Sequence, residues 1–560
     1  MGGSQNDLSR VCRRLYRRQF LAAAVGAGVA SASLDGCGVS RSPSSTANGG
    51  SAGPRTGGTL NISFNFTRGF DPHILQASDT SLHGMFYSTL VRANPKTYDV
   101  EPDLAAKWET PSQTEMVFTL APNIRWQDKP PVSGRPLKVD DVIYSYQRLQ
   151  TNDPKFVNKS YLAGIDKMES VDAKTLKLTL KRPDVTQLGS LTQSSMEILA
   201  PEVVDAARGN LATADFAVGT GAFVLQRSEP NVASSLVRNP TYFKPGRPYL
   251  DRVEVRAFTD VQAEWSAFLA GQIDSRWVAG QDSQKFAGGQ KSEYGLQWFG
   301  DLGYMIMQAM TKKKPWDDAR VTRAMRLLID HAEAKSAWAE VWFGRGRYSE
   351  CFAAGTADTW DLSDDDYGRQ LEWKQPKDDA VKEALALLSA AGFTKANPLR
   401  FTLSGLNSDY QQAAPQLAQA QFKRLSQGVV NPELRVYESA TWTKVREAGD
   451  FEYLISGHTS GGSDPDTYFS STHQTGGGRN YGKMSDLQLD QMIARQRTIF
   501  DGQERKKAVR DIVLYMIDHS PYGVFIDRYI LSATQAKVHQ FPAEGPTNKF
   551  GSYYEDIWLA

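Results

Sequence analysis

Short β-type runs alternate with amphipathic helical stretches from Thr59 onward, and this alternation limits the fold more than any other feature. It is the pattern of α/β lobes, sheets covered by helices. The strand candidates are TLNISFNF (59–66), MVFTL (116–120), TLKLTL (175–180), VEVRAF (253–258), LRFTLSGL (399–406), ELRVY (433–437), FEYLISG (451–457) and YGVFIDRYIL (522–531). Most are rich in β-branched or aromatic residues. Val381, Ala384, Leu385 and Leu388 fall at i, i+3, i+4 and i+7, and Val509, Ile512, Val513, Met516 and Ile517 repeat that spacing, so each stretch predicts a helix burying one stripe. Asp260 and Ser439 read as N-caps, and Gly271 and Gly449 as helix stops. At 560 residues, 41% hydrophobic and 23% charged, the chain is long enough for two or three packed units.

The first residues follow a different logic. Arg10, Arg13, Arg14, Arg17 and Arg18 precede an apolar run from Phe20 to about Leu34, the layout of an export signal. Arg17-Arg18-Gln19-Phe20-Leu21 resembles the twin-arginine consensus, an address read by an export receptor. Of the three cysteines, Cys12 lies inside this segment, so a disulfide framework is not expected. Leu34-Asp35-Gly36-Cys37 looks like a bacterial lipobox, which predicts lipidation of Cys37; cleavage after Ala32 is the alternative. Cys351 reads as a small buried hydrophobe. Residues 38–57 are rich in Ser and Gly, a flexible linker reaching roughly 25 Å. The expected product is exported, at the periplasm or the outer face of the cytoplasmic membrane.

A formal net charge of +1, without a long Lys/Arg run, leaves no electrostatic footprint for nucleic acid. Catalytic signatures are thin. ISGHTSGGSDPDTYF (455–469) combines His458, Thr459, Ser460, Gly461 and Asp464, but no G-x-S-x-G elbow accompanies it. The seven histidines are scattered, with no metal-ligand spacing, and read as structural or exposed; Asp364–Asp366 and Asp464-Pro465-Asp466 read as solvated turns. Gly219-Thr220-Gly221 lacks a P-loop lysine and reads as a turn entering a strand. No catalytic residue, metal or cofactor is therefore assigned.

Several ordered segments together resemble the family 5 extracellular solute-binding proteins of ABC transporters. They are Gly57-Gly58-Thr59-Leu60, Phe70-Asp71-Pro72, Pro102-Asp103-Leu104-Ala105, and residues 116–149 with Trp126-Gln127-Asp128 and Asp140-Asp141-Val142. Then come Val218–Phe223, Arg238-Asn239-Pro240, Pro248–Asp251, Gly271–Asp274, Pro315–Val321, Ala391-Gly392-Phe393, Asp464-Pro465, Asn480-Tyr481, and Asp501 with Arg505. The resemblance implies a two-lobed periplasmic-binding-protein-like α/β fold with an extra subdomain in the first lobe and a cleft between lobes. The boundaries expected from it are an export signal at 1–36, the linker at 37–57, lobe 1 at 58–310 with the subdomain at about 94–214, lobe 2 at 311–524, and a return to lobe 1 at 525–560. It also implies a monomeric receptor, not an enzyme, that closes around a small solute and hands it to an ABC permease.

In peptide-binding members the loop resembling 457–466 supplies an aspartate to the ligand's N-terminal ammonium, and that position here is Gly461. By the same resemblance His458 takes the place of a cleft tryptophan, and Trp442 that of a helix tryptophan close to the ligand. The ligand-binding candidates are thus Trp442, His458, Thr459, Ser460, Gly461 and Asp464. A buried ammonium needs a counter-charge, so Gly461 keeps two solutes open: a peptide, or an oligosaccharide or other non-peptide compound. An exported hydrolase using His458 and Ser460 is the reading from a different class.

Overall fold

Ten strands drawn from distant parts of the chain hydrogen-bond into one sheet. They are β1 (Thr59–Ser63), β2 (Phe223–Glu229), β3 (Ala233–Arg238), β4 (Arg252–Arg256), β5 (Ser275–Val278), β6 (Tyr294–Ala309), β7 (Leu399–Leu406), β8 (Val430–Tyr437), β9 (Tyr453–Thr459) and β10 (Tyr522–Gln535). The order across the sheet is β8-β7-β9-β6-β10-β5-β1-β4-β3-β2. The computed structural model describes residues 53–560 except 65–68, 75–79, 96, 98, 154, 157, 259, 279–285, 287–293, 339–359, 409–410, 460–463 and 543–550. Cys12, Cys37, Cys351, the export signal and the linker as far as residue 52 lie outside the described residues.

The apolar side chains sort the sheet into two lobes. Leu60, Ile62, Phe223, Leu225, Leu236, Val253 and Val255 join one large cluster with Phe118, Trp126, Leu176 and Leu178. That cluster runs without a break into the extra subdomain, a four-stranded antiparallel sheet in the order Ala105–Ser112, Glu115–Leu120, Thr175–Leu180, Ile165–Asp172. Alternate residues of its two inner strands are buried, as period-2 patterning requires. In the other lobe, Met305, Met307, Leu403, Tyr453 and Ile455 face one way, with Val321, Ala384 and Phe422 from helices. Tyr304, Ile306 and Val524 face the other way, with Ile512, Val513 and Met516.

Among the described strands, only β6 and β10 extend through both lobes. Tyr294–Gly300 of β6 pairs with Tyr529–Gln535, and Tyr304–Gln308 pairs with Tyr522–Asp527. Between these stretches the register slips, so that residues 301–303 of β6 stand opposite residue 528 alone. Such a bulge bends a strand and raises its local twist. The bulge thus lies inside the two long strands, a few residues before the 310/311 boundary and a few after the 524/525 boundary expected from the sequence.

All eight strand candidates form strands, with ends shifted by a few residues. The two striped stretches are the helices Asp378–Ala390 and Gly502–His519. Asp260 caps its helix by accepting from the Ala263 amide, and Gly449 ends another at φ 74°. Ser439 differs: the helix Ser439–Ala448 takes Glu438 as its N-cap, without a side-chain bond. Gly219-Thr220-Gly221 does lead into β2, and a Cβ on Gly219 would lie 1.9 Å from the Phe86 carbonyl oxygen. Neither aspartate cluster is a free turn, although Asp364 and Asp365 are exposed. Asp364–Asp366 form the first turn of the helix Asp364–Arg369, capped by Ser363, and the Asp464 pair is engaged as described below.

Candidate functional site

The C-terminal end of β9 meets the crossing of the lobes, the place where open α/β sheets bind ligands. Along β9, Tyr453 and Ile455 enter one core, so period-2 alternation turns Leu454, Ser456 and His458 to the opposite face. His458 lies in register with Tyr304 of β6, and Asp527 of β10 is the next position in register beyond it. The His458 ring stands 6.1 Å from that of Tyr304 and 5.6 Å, at 88°, from that of Tyr481. It is 5% exposed, yet neither ring nitrogen has a hydrogen-bond partner. Burial holds its pKa well below the ordinary value, and Arg446, Arg479 and His473 add to the effect. The imidazole is therefore neutral, in a neighbourhood of positive potential.

Trp442 lies on the helix Ser439–Ala448 and is buried in a small cluster with Met310, Phe451 and Leu454. It stacks on Tyr437 at 6.0 Å and 27°. Arg446 follows at i+4, on the same helix face, and its guanidinium lies over the Tyr481 ring, 4.6 Å from the centroid. Its Nε is buried without a partner. Tyr481 therefore packs against both Arg446 and His458. Its position is set by Asn480, whose side chain accepts from the Met484 amide (2.8 Å) and donates to the Met484 carbonyl (2.7 Å). The next residue, Gly482, comes so close to β6 that a Cβ would lie 2.2 Å from the Ala309 carbonyl oxygen.

Thr459 is the last residue of β9 and pairs with Gly303. Ser460 and Gly461 lie outside the described residues. Asp464, just beyond them, is held by Arg505, which donates from Nη1 and Nη2 to the two carboxylate oxygens at 2.8 and 2.7 Å. It also accepts from the Asp466 amide as the N-cap of Pro465–Tyr468. Asp466 is buried and accepts from Gln496 Nε2 and Arg497 Nε at 2.7 and 2.6 Å. Burial pushes its carboxyl up to about 6, while Arg497 pulls the other way. These paired side chains anchor the end of the loop.

The lobes touch at this site. The Val185 amide, next to the lobe 1 subdomain, donates to the Arg497 carbonyl at 2.9 Å, and Tyr161 of that segment feels the charges of Arg479 and Asp466. The site thus brings together Trp442, His458 and the end of β9 with two residues that sequence reasoning did not single out, Arg446 and Tyr481 as a contact. The i, i+4 spacing of Trp442 and Arg446 was the available signal for the first. Among the described residues, no hydroxyl bonds His458 and no group of three or more His, Cys, Asp or Glu could hold a metal ion. None of the described helices is long and apolar enough to cross a membrane.

A family model described as bacterial extracellular solute-binding proteins, family 5 Middle, matches residues 99–480. The dipeptide-binding protein of Escherichia coli K12 is 23% identical over 479 residues, 81% of this chain and 86% of its own length. Among solved structures, AgaA of A. tumefaciens R10, in complex with agropinic acid, superposes with a TM-score of 0.74 at 21% identity, over 90% of this chain and 99% of AgaA. Haemophilus influenzae OppA, in complex with RPPGFSPFR, gives 0.75 at 18% identity, over 90% and 100%.

Proposed function

The chain belongs to the family 5 bacterial extracellular solute-binding proteins, and on that premise we propose that it captures a peptide-sized solute between its lobes and delivers it to an ABC-type permease for import. One observation carries the reading: His458, buried and with both ring nitrogens unpartnered, lies where the two crossing strands join the lobes. Ligand contacts on both sides of that crossing favour the closed form, and the permease reads closure as occupancy. No covalent step is required. The solute-facing groups in this reading are His458, Thr459, Ser460 and Gly461, with Trp442 as the floor beneath Tyr481 and Asp464 as the anchor of the loop.

The E. coli dipeptide receptor and the peptide-loaded OppA favour a peptide. A non-peptide solute is the second reading, favoured by Gly461 where peptide-binding members carry an aspartate and by the likeness to AgaA with its agropinic acid. Thermal-shift screening against peptide and oligosaccharide libraries separates them, because a solute that binds only the folded state raises the apparent Tm. A peptide that stabilises the protein supports the first reading, and stabilisation by oligosaccharides alone the second. Turnover of a stabilising compound, abolished by Ser460→Ala, would overturn the receptor reading in favour of a hydrolase. We extend the proposal to the leader: export through the signal at 1–36 and a lipid tether on Cys37. Cys37→Ser is expected to release the protein from the membrane fraction, and unchanged fractionation would instead place cleavage after Ala32.

A further inference from the structure

Two unmet polar groups lie against one tyrosine ring. His458 is 95% buried, by its exposure of 5%, and both its nitrogens lack partners; the buried Nε of Arg446 lacks one too. Among the described residues, no carboxylate pairs with Arg446 and none is a cause of the His458 shift, whose charged neighbours are Arg446, Arg479 and His473. Leaving such groups unsatisfied costs more than each gains when bonded. An ammonium entering here would meet like charge. A carboxylate would meet a guanidinium, the side chain best suited to it, and an imidazole able to donate.

Resting on the receptor reading above, we infer that the pocket bordered by His458, Tyr481 and Arg446 receives an anionic group of the solute, a carboxylate or its equivalent, and not the ammonium end of a peptide. The site selects acids by one end. A bound anion also raises the proton affinity of His458, while the neighbouring His473, lowered by burial to about 3, stays neutral.

The test needs no natural ligand. In the full chain labelled at histidine Cε1, with the His458 signal assigned by its loss in His458→Gln, sodium acetate, acetamide and methylammonium chloride are each titrated to tens of millimolar. Acetate is expected to move the His458 signal saturably, and the two other probes to leave it in place. Arg446→Gln should weaken the acetate response at least tenfold, and Arg446→Lys should restore part of it. A response to methylammonium, a response to none of the three, or an acetate response unchanged in Arg446→Gln would overturn the inference. Failure of the library screen with the acetate response intact would instead count against the receptor reading alone.

Discussion

At the scale of single residues, the loop around the site is stabilised by charges that a sequence does not reveal as partners. Asp464 looks like the start of a turn, but its carboxylate is shared between a helix cap and both Nη atoms of Arg505. Arg505 is itself nearly buried, so removing its partner strands a cation. Asp464→Ala is expected to lower the unfolding free energy by about 3 kcal/mol, read as a shift in the urea midpoint. Gly482→Ala should be equally damaging for a different reason. Its Cβ would lie 2.2 Å from the Ala309 carbonyl oxygen, so either the backbone moves, displacing Tyr481, or the lobe loses about 2 kcal/mol or more; weaker solute binding together with a lower Tm is the expected outcome. Trp442 and His458 were picked out through the family resemblance, and both pack beside Tyr481. Arg446 was not, because an exposed-looking basic residue acquires meaning only from the ring it covers.

At the scale of elements, runs rich in β-branched and aromatic residues made β7, β9 and the two inner subdomain strands readable. β6 was missed although it is the longest strand. Its sequence, YGLQWFGDLGYMIMQA, breaks alternation with three glycines and then buries both faces from Tyr304 to Ala309. The same break produces the bulge at residues 301–303. If the bulge is where the lobes bend, deleting Asp301 and Leu302 restores a one-to-one register while keeping every side chain on its face. Such a variant is expected to fold with nearly unchanged Tm, yet to show little or no change in radius of gyration on adding a stabilising solute. Full solute-induced compaction in small-angle scattering would place the hinge elsewhere.

At the scale of the whole molecule, the buried histidines set the response to acid. Burial lowers His73 to about 4, with Arg148 adding to it, and lowers His83 and His473 each to about 3. Unfolded, each would titrate near 6.5. A folded pKa below the unfolded one means that the unfolded chain binds more protons, so the stabilisation is complete above 6.5 and is lost as the pH falls toward 4 and 3. The expected slope is about 1.4 kcal/mol per pH unit for each histidine that must charge on unfolding. Unfolding midpoints measured from pH 7.5 to 4.5 should fall accordingly, and His473→Gln should flatten the curve even if its midpoint at pH 7.5 is lower. The sequence showed these histidines as scattered and without metal spacing; that five of the seven are buried depended on packing between segments hundreds of residues apart.

One strand also decides when the protein is finished. Residues 522–527 of β10 complete the sheet of one lobe, 529–535 complete that of the other, and just beyond them Val538, Tyr554 and Ile557 enter the large cluster of lobe 1. Glu555 then bonds Arg92 and Lys244, more than 300 positions upstream. During synthesis every partner of β10 is made before it. Until it arrives, β6 and β5 each present an open edge, the kind of surface that pairs with the wrong chain. Neither lobe can mature ahead of the other, so nascent chains of this protein depend on being kept apart until β10 has emerged.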